Sequence, residues 1–287
     1  MGRPSQPPAE EELLKNLVDF SSVVSGHLGF PKRNPLYTPT GQYSKHVWPH
    51  LYTFGVQYAL HPGEQIQEHN IGIIIMSNPI LYGPAYSTYV RSARMAMVEK
   101  GVDYDLVEVD FLQGPMPAEQ IERHPFAKVP AFEHNGFKLY EVCAIGRYVD
   151  EEFDGPSLQP DNVRNRARMT QIMSILDNYT YPCTVGDLVI QRLVMPMLGN
   201  EPDEAVISAA LPEIAKNMNT LEELRGENTF LASDRVTLAD LHLVPIYDYF
   251  QSTPESKAIL EKTPGLRAWW DAIRDRESVQ NTPFSSG

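Results

Sequence analysis

Apolar residues recur every three to four positions over residues 87–100, STYVRSARMAMVEK, and alternate with polar ones over 104–111, YDLVEVDF. The first spacing predicts an amphipathic helix and the second a half-buried strand. Ser87 or Thr88 would cap the helix and Gly101 would end it. In the strand, Leu106, Glu108 and Asp110 share one face, with Val107, Val109 and Phe111 on the other. Residues 80–83, ILYG, predict a short buried strand. Asn135-Gly136 is the dipeptide that a two-residue hairpin turn prefers, because both central positions need positive φ. Ala131–His134 should therefore pair with Phe137–Tyr140, with a helix over roughly 142–152. Residues 76–155 thus read as a mixed α/β module.

The pattern changes after DGPSLQPDN (154–162), a linker by composition. From there to residue 287 only helical spacing appears. Val163, Ala167, Met169, Ile172, Met173 and Leu176 form one apolar stripe. Val206, Ile207, Ala210, Leu211, Ile214, Met218, Leu221 and Leu224 form a second, with a bend expected at Pro212. Thr237 and Asp240 have capping-box spacing, with Asp in place of Glu. Leu266, Trp269, Trp270 and Ile273 mark a last helix. Residues 163–287 read as an all-helical module.

Residues 1–75 follow neither pattern. They hold eight prolines and five of the eight histidines, and one helical spacing, over EEELLKNLVDFSSVV. They are expected to be a disordered upstream extension or a start-site artefact, with Met76 as the functional start. His46 and His50 have i,i+4 spacing, but a solvated tail is the simpler reading and no metal site is assigned.

The formal net charge of −13 argues against nucleic acid and anionic membranes as partners. No apolar run approaches the roughly 18 residues needed to span a bilayer, and no secretory signal pattern precedes the first helix. Cys143 and Cys183 are the only cysteines, without a C-x-x-C. That argues against a disulfide framework or thiolate zinc site and for a reducing, cytoplasmic compartment.

Three stretches in order, LYGPAYSTYVRSARMAM, HPFAKVPAFEHNGFKLYEVCAIGRYV and FLASDRVTLADL, resemble the glutathione transferase superfamily. The first is most similar to its serine-using, phi-type members. The resemblance covers about residues 78–276. It implies a thioredoxin-like N-terminal domain, an all-helical C-terminal domain and a homodimer. It also implies glutathione as cosubstrate, no bound cofactor, and small hydrophobic electrophiles as the second substrate.

The same resemblance implies roles for particular residues. Ser87 matches the catalytic serine, whose hydroxyl donates a hydrogen bond to the glutathione thiolate; Thr88 and Tyr86 are alternates. Pro130 matches a cis-proline, and Val129 before it would pair its backbone with the cysteinyl unit of glutathione. Lys128 would reach the glycyl carboxylate, and Glu141 the γ-glutamyl ammonium. Phe126 matches an aromatic that inserts into the partner subunit. Tyr179, Tyr181, Leu188, Ile190 and Gln191 would line the electrophile site, and the loop 113–117 would tune it. His124, His134 and His242 read as structural.

Val142 departs from the family, which usually has serine there to bind the γ-glutamyl carboxylate. Valine keeps the backbone N–H and loses the hydroxyl. A hydrogen bond to a charged group contributes about 1.5–3 kcal/mol, so the loss predicts roughly 10- to 150-fold weaker binding. Two other readings therefore stay open beside conjugation: a non-catalytic scaffold or ligand-binding protein, and glutathione-dependent peroxide reduction or dehalogenation.

Overall fold

The computed structural model describes residues 51–53, 73–75, 77–112 and 114–283. The expectation for residues 1–75 lies almost wholly outside them. Within that segment, β1 (Leu51–Thr53) pairs antiparallel with β2 (Ile73–Ile75). Asn78–Gly287 forms a separate compact unit.

That unit opens with β3 (Ile80–Tyr82), α1 (Thr88–Glu99), β4 (Asp105–Val107) and α2 (Ala118–Arg123). It continues with β5 (Ala131–His134), β6 (Phe137–Tyr140) and α3 (Val142–Glu152). The sheet order is β4-β3-β5-β6; β3 runs parallel to β4 and antiparallel to β5. β5 and β6 form the expected hairpin, with Asn135 at φ 50 and Gly136 at φ 80. This is a thioredoxin-like α/β layer. Leu81 and Phe132 are buried in it beneath α1 and α3, which pack on each other.

The strand expected over 104–111 is shorter than its alternation suggests. Its ladder partner β3 has three residues, so pairing ends at Val107, which is 41% exposed, while Val109 is buried. α2 was not expected: its six residues carry no apolar stripe, and Pro117 rather than a side-chain cap precedes it.

Helices follow from Val163 onward. α4 (Val163–Ile175) starts at Asn162, whose Oδ1 accepts the Asn165 N–H at 2.8 Å. Met169, Ile172, Met173 and Leu176 are buried as expected. Val163 is not, at 70% exposed, because it is the first helical residue and sits beyond the packed face. α4 passes into π-helical turns over Leu176–Thr180 and Pro182–Val194. Pro182 has no N–H to give to the α-helical ladder.

α5 (Glu204–Arg225) contains Pro212 within one continuous helix. α6 (Leu238–Gln251) is buried on nearly every side and packs against α1 and α4. At its start Asp240 Oδ2 accepts the Thr237 N–H and hydroxyl, each at 2.7 Å. α7 (Ser256–Leu260), α8 (Pro264–Ile273) and α9 (Glu277–Gln280) complete the unit. Leu266, Trp269 and Ile273 of α8 are buried.

The linker is pinned at both ends. Buried Lys100 donates to the Asp150 carbonyl at 2.9 Å, and Asp150 Oδ1 accepts the Leu158 N–H at 2.7 Å. The Leu158 carbonyl then accepts the Leu238 N–H at 2.9 Å. The α/β layer and the helices are thereby joined through main-chain contacts.

Candidate functional site

Strand register decides which loops meet. Tyr82 pairs with Ala131, and Ala131 with Tyr140. Neighbouring strands lie about 4.8 Å apart. The segment leading from Tyr82 to Ser87, the Val129-Pro130 step and the Glu141-Val142 step therefore share one edge of the sheet.

Gly83 holds the first two together. Its φ is +150, and a Cβ there would lie 2.5 Å from Val90 Cγ2 and 3.1 Å from Val129 Cβ. Only glycine lets the β3–α1 loop approach Val129 this closely.

Ser87 is the N-cap residue of α1 and is half-buried. Its side chain makes no cap hydrogen bond, while its carbonyl accepts the Arg91 N–H at 2.8 Å. The hydroxyl is thus not committed to the helix end. Thr88 is buried, and its carbonyl accepts the Ser92 hydroxyl. Burial, with Asp110 and Glu108 nearby, pushes the Tyr86 phenol up to about 12. Tyr86 thus stays neutral, and its carbonyl accepts the Tyr249 hydroxyl.

The Val129-Pro130 bond is cis. Val129 is half-buried and Pro130 buried at the start of β5, and Lys128 before them is exposed. Buried Gln120 of α2 donates from Nε2 to the Lys128 carbonyl at 2.8 Å. The unexpected helix is therefore the bracket that holds this loop. No local pattern in the sequence marked Gln120 for this contact.

Glu141 is exposed at φ 70 and forms the N-cap of α3 without a side-chain cap bond. Val142 opens the helix with its side chain in the core, 8% exposed. α1 and α3 thus both begin at the same sheet edge. Their first N–H groups and dipoles create a positive potential suited to anions. Phe126 is 66% exposed, edge-on to Tyr140 at 6.2 Å.

The residues expected to line an electrophile site divide. Tyr181 stacks on Tyr89 of α1 at 4.6 Å, facing the α/β layer, and Tyr179 is exposed. Leu188 is fully buried in the core and cannot line a cleft. Gln191 accepts the Asp203 N–H at 2.9 Å. Ile190 is half-buried. A cavity of about 680 Å³ lies elsewhere, between Arg147 and Glu151 of α3 and Arg166 and Thr170 of α4, and contains none of the expected site residues.

His134 accepts or donates at Nδ1 to the Tyr148 hydroxyl, 2.9 Å away, as a core contact. His242 has a different setting, against Asp177 and Cys143. Residues so far apart in the chain left no local pattern.

This architecture has known counterparts. Residues 81–157 match the sequence profile of the glutathione S-transferase N-terminal domain, and residues 184–277 that of its C-terminal domain. Glutathione S-transferase F6 of Arabidopsis thaliana is 32% identical over 204 residues, covering 70% of this chain and 96% of its own. The structure of glutathione transferase F2 from Populus trichocarpa superposes with a TM-score of 0.65 at 30% identity, over 71% of this chain and 96% of that one. Maize glutathione S-transferase I, solved in complex with an atrazine glutathione conjugate, gives 0.63 at 28% identity over 72% and 96%.

The chain belongs to the glutathione S-transferase family and is phi-like within it. It is a transferase that conjugates electrophiles with glutathione as cosubstrate. Among the described residues no helix is long and apolar enough to cross a membrane.

Proposed function

We propose that Ser87 activates the glutathione thiol for attack on small hydrophobic electrophiles. In this reading Lys128, Val129, Pro130, Glu141 and the Val142 N–H hold glutathione. The observation that supports it is the Tyr82–Ala131–Tyr140 register, which brings the loops leading to these positions, and two helix N-termini, to one end of the sheet.

The energetics are sufficient. A free thiol titrates near pH 8.5, and lowering that by about two units takes roughly 2.7 kcal/mol of preference for the anion. A hydroxyl donor to sulfur contributes about 1.5–3 kcal/mol, and a helix N-terminus about 0.3–1. Ser87 and α1 together reach that range. Ser87 acts as a donor to the thiolate and forms no covalent intermediate.

Ser87→Ala is expected to lower kcat/KM about 10- to 100-fold and to shift the acid limb of the pH–rate profile upward, with an unchanged circular dichroism spectrum. Full activity in the variant would remove Ser87 from the mechanism. Val142, whose side chain is in the core, is the departure that bears on how these residues hold glutathione. Calorimetric titration tests that assignment, because no saturable glutathione binding at several millimolar would overturn it.

We read the biological unit as a cytoplasmic homodimer with a role in detoxification. Residues 76–155 would serve as the glutathione-binding module, residues 163–287 as the helical module and residues 1–75 as an extension. The intact mass of natively produced protein tests the last point: a mass starting at Met1 excludes an artefact.

A further inference from the structure

Cys143 of α3, Asp177 of the first π-helical turn and His242 of α6 meet where the α/β layer packs on the helices. His242 Nε2 lies 2.7 Å from Asp177 Oδ1, and Cys143 Sγ donates to Asp177 Oδ2 at 3.3 Å. The three donor atoms all lie within 4.8 Å of one another. Glutathione activation as described uses none of these side chains.

The surroundings are ordered. The His242 side chain is 2% exposed and that of Asp177 34%, so the cluster is closed on one side and reachable from the other. The Tyr89 ring lies 5.4 Å from that of His242, with Asp177 beside its hydroxyl. A hydroxyl beside the carboxylate resembles the outer-shell surroundings of ligands in metal sites. Asp177 also sits in a π-helical turn, a distortion frequent at functional positions.

We propose that Cys143, Asp177 and His242 bind a zinc-like divalent cation at the junction of the two modules. One sulfur, one imidazole nitrogen and one carboxylate form a donor set of intermediate softness, which suits zinc and disfavours magnesium or calcium. Zinc bonds of about 2.0–2.3 Å imply ligand-to-ligand edges of roughly 3.3–3.8 Å. The contacts to Asp177, at 2.7 and 3.3 Å, lie at or just below that range, and no pair of donor atoms is more than 4.8 Å apart. Binding opens the Asp177–His242 contact by about half an ångström, and water entering past Asp177 takes the fourth position.

The protons balance without a further reactant. Cys143 gives up its thiol proton to solvent and becomes the thiolate ligand. His242 binds as neutral imidazole through the Nε2 lone pair, any Nε2 proton passing to Nδ1 or to solvent. Asp177 is already ionised. Protons leave as the cation binds.

The test uses the reduced full-length chain without glutathione, which itself binds metals. Co²⁺ is titrated as a spectroscopic probe and then displaced with Zn²⁺. A sulfur-to-cobalt charge-transfer band is expected, saturating at one equivalent and abolished by Zn²⁺. Cys143→Ser should eliminate the band and Cys183→Ser should retain it. His242→Gln and Asp177→Asn should each weaken binding by about tenfold or more. Cobalt held by the histidines at 27, 46, 50, 61 and 69 would show no sulfur band. Absence of the band in the parent protein, or its survival in Cys143→Ser with native circular dichroism, would overturn the site. Ser87→Ala should keep the band, so this result is separable from that on conjugation.

Discussion

At the scale of single residues, Val142 sets the terms for glutathione. It is the first residue of α3, so its N–H faces the shared edge while its methyl groups join the core. Serine there would add a hydroxyl beside that N–H. Val142→Ser is expected to tighten glutathione binding about 10-fold or more, since a hydrogen bond to a carboxylate contributes about 1.5–3 kcal/mol. It should also lower stability by up to about 2 kcal/mol through lost apolar burial. Calorimetry reads the first effect and urea unfolding the second. An unchanged dissociation constant would mean that other donors already satisfy the carboxylate, and that the departure at Val142 carries little weight.

At the scale of elements, α6 is the hub on which the helical part depends. Asp240 is fully buried at its start and accepts four hydrogen bonds. Two come from the Thr237 N–H and hydroxyl. The others come from the Leu231 N–H at 2.8 Å and from Trp269 Nε1–H at 2.9 Å. One carboxylate thus ties the preceding loop, the helix cap and α8 together. Asp240→Ala would leave these donors buried and unpaired, at about 1–3 kcal/mol for each such group. A loss of at least about 3 kcal/mol in chemical unfolding is expected. A loss under 1 kcal/mol would show that the donors find other partners. The capping-box spacing was readable in the chain, but Leu231 and Trp269 were not, because neither lies in a pattern that points to Asp240.

At the scale of the whole molecule, the assembly reading rests on Phe126. It stands 66% exposed on a loop, edge-on to His124 and Tyr140. Phe126→Ala is expected to move the protein from dimer toward monomer at micromolar concentration. Light scattering that still gives the dimer mass would count against Phe126 as the anchor. Burial of a side chain this large in a partner would contribute about 1.5–3 kcal/mol, enough to change the dissociation constant about tenfold or more.

What the chain by itself determined is what depends on neighbours in sequence. Asn135-Gly136 specified the hairpin and its register through two positive-φ positions, and Gly101 ended α1. The stripe Ile207, Ala210, Ile214, Met218 and Leu221 identified the buried face of α5. The three quoted stretches identified the family and so the candidate site. Tertiary structure alone decided the rest. α2 and its Gln120 bracket depend on a contact to the Lys128 carbonyl, not on an apolar period. Leu188 turned into the core because π-helical turns change the rotation that an α-helical count assumes. Cys143, Asp177 and His242 meet because α3, the first π-helical turn and α6 come together, Asp177 standing 34 positions after Cys143 and 65 before His242. Local pattern records φ preferences and the face that seeks burial, whereas such a cluster is created only when separate elements are brought into contact.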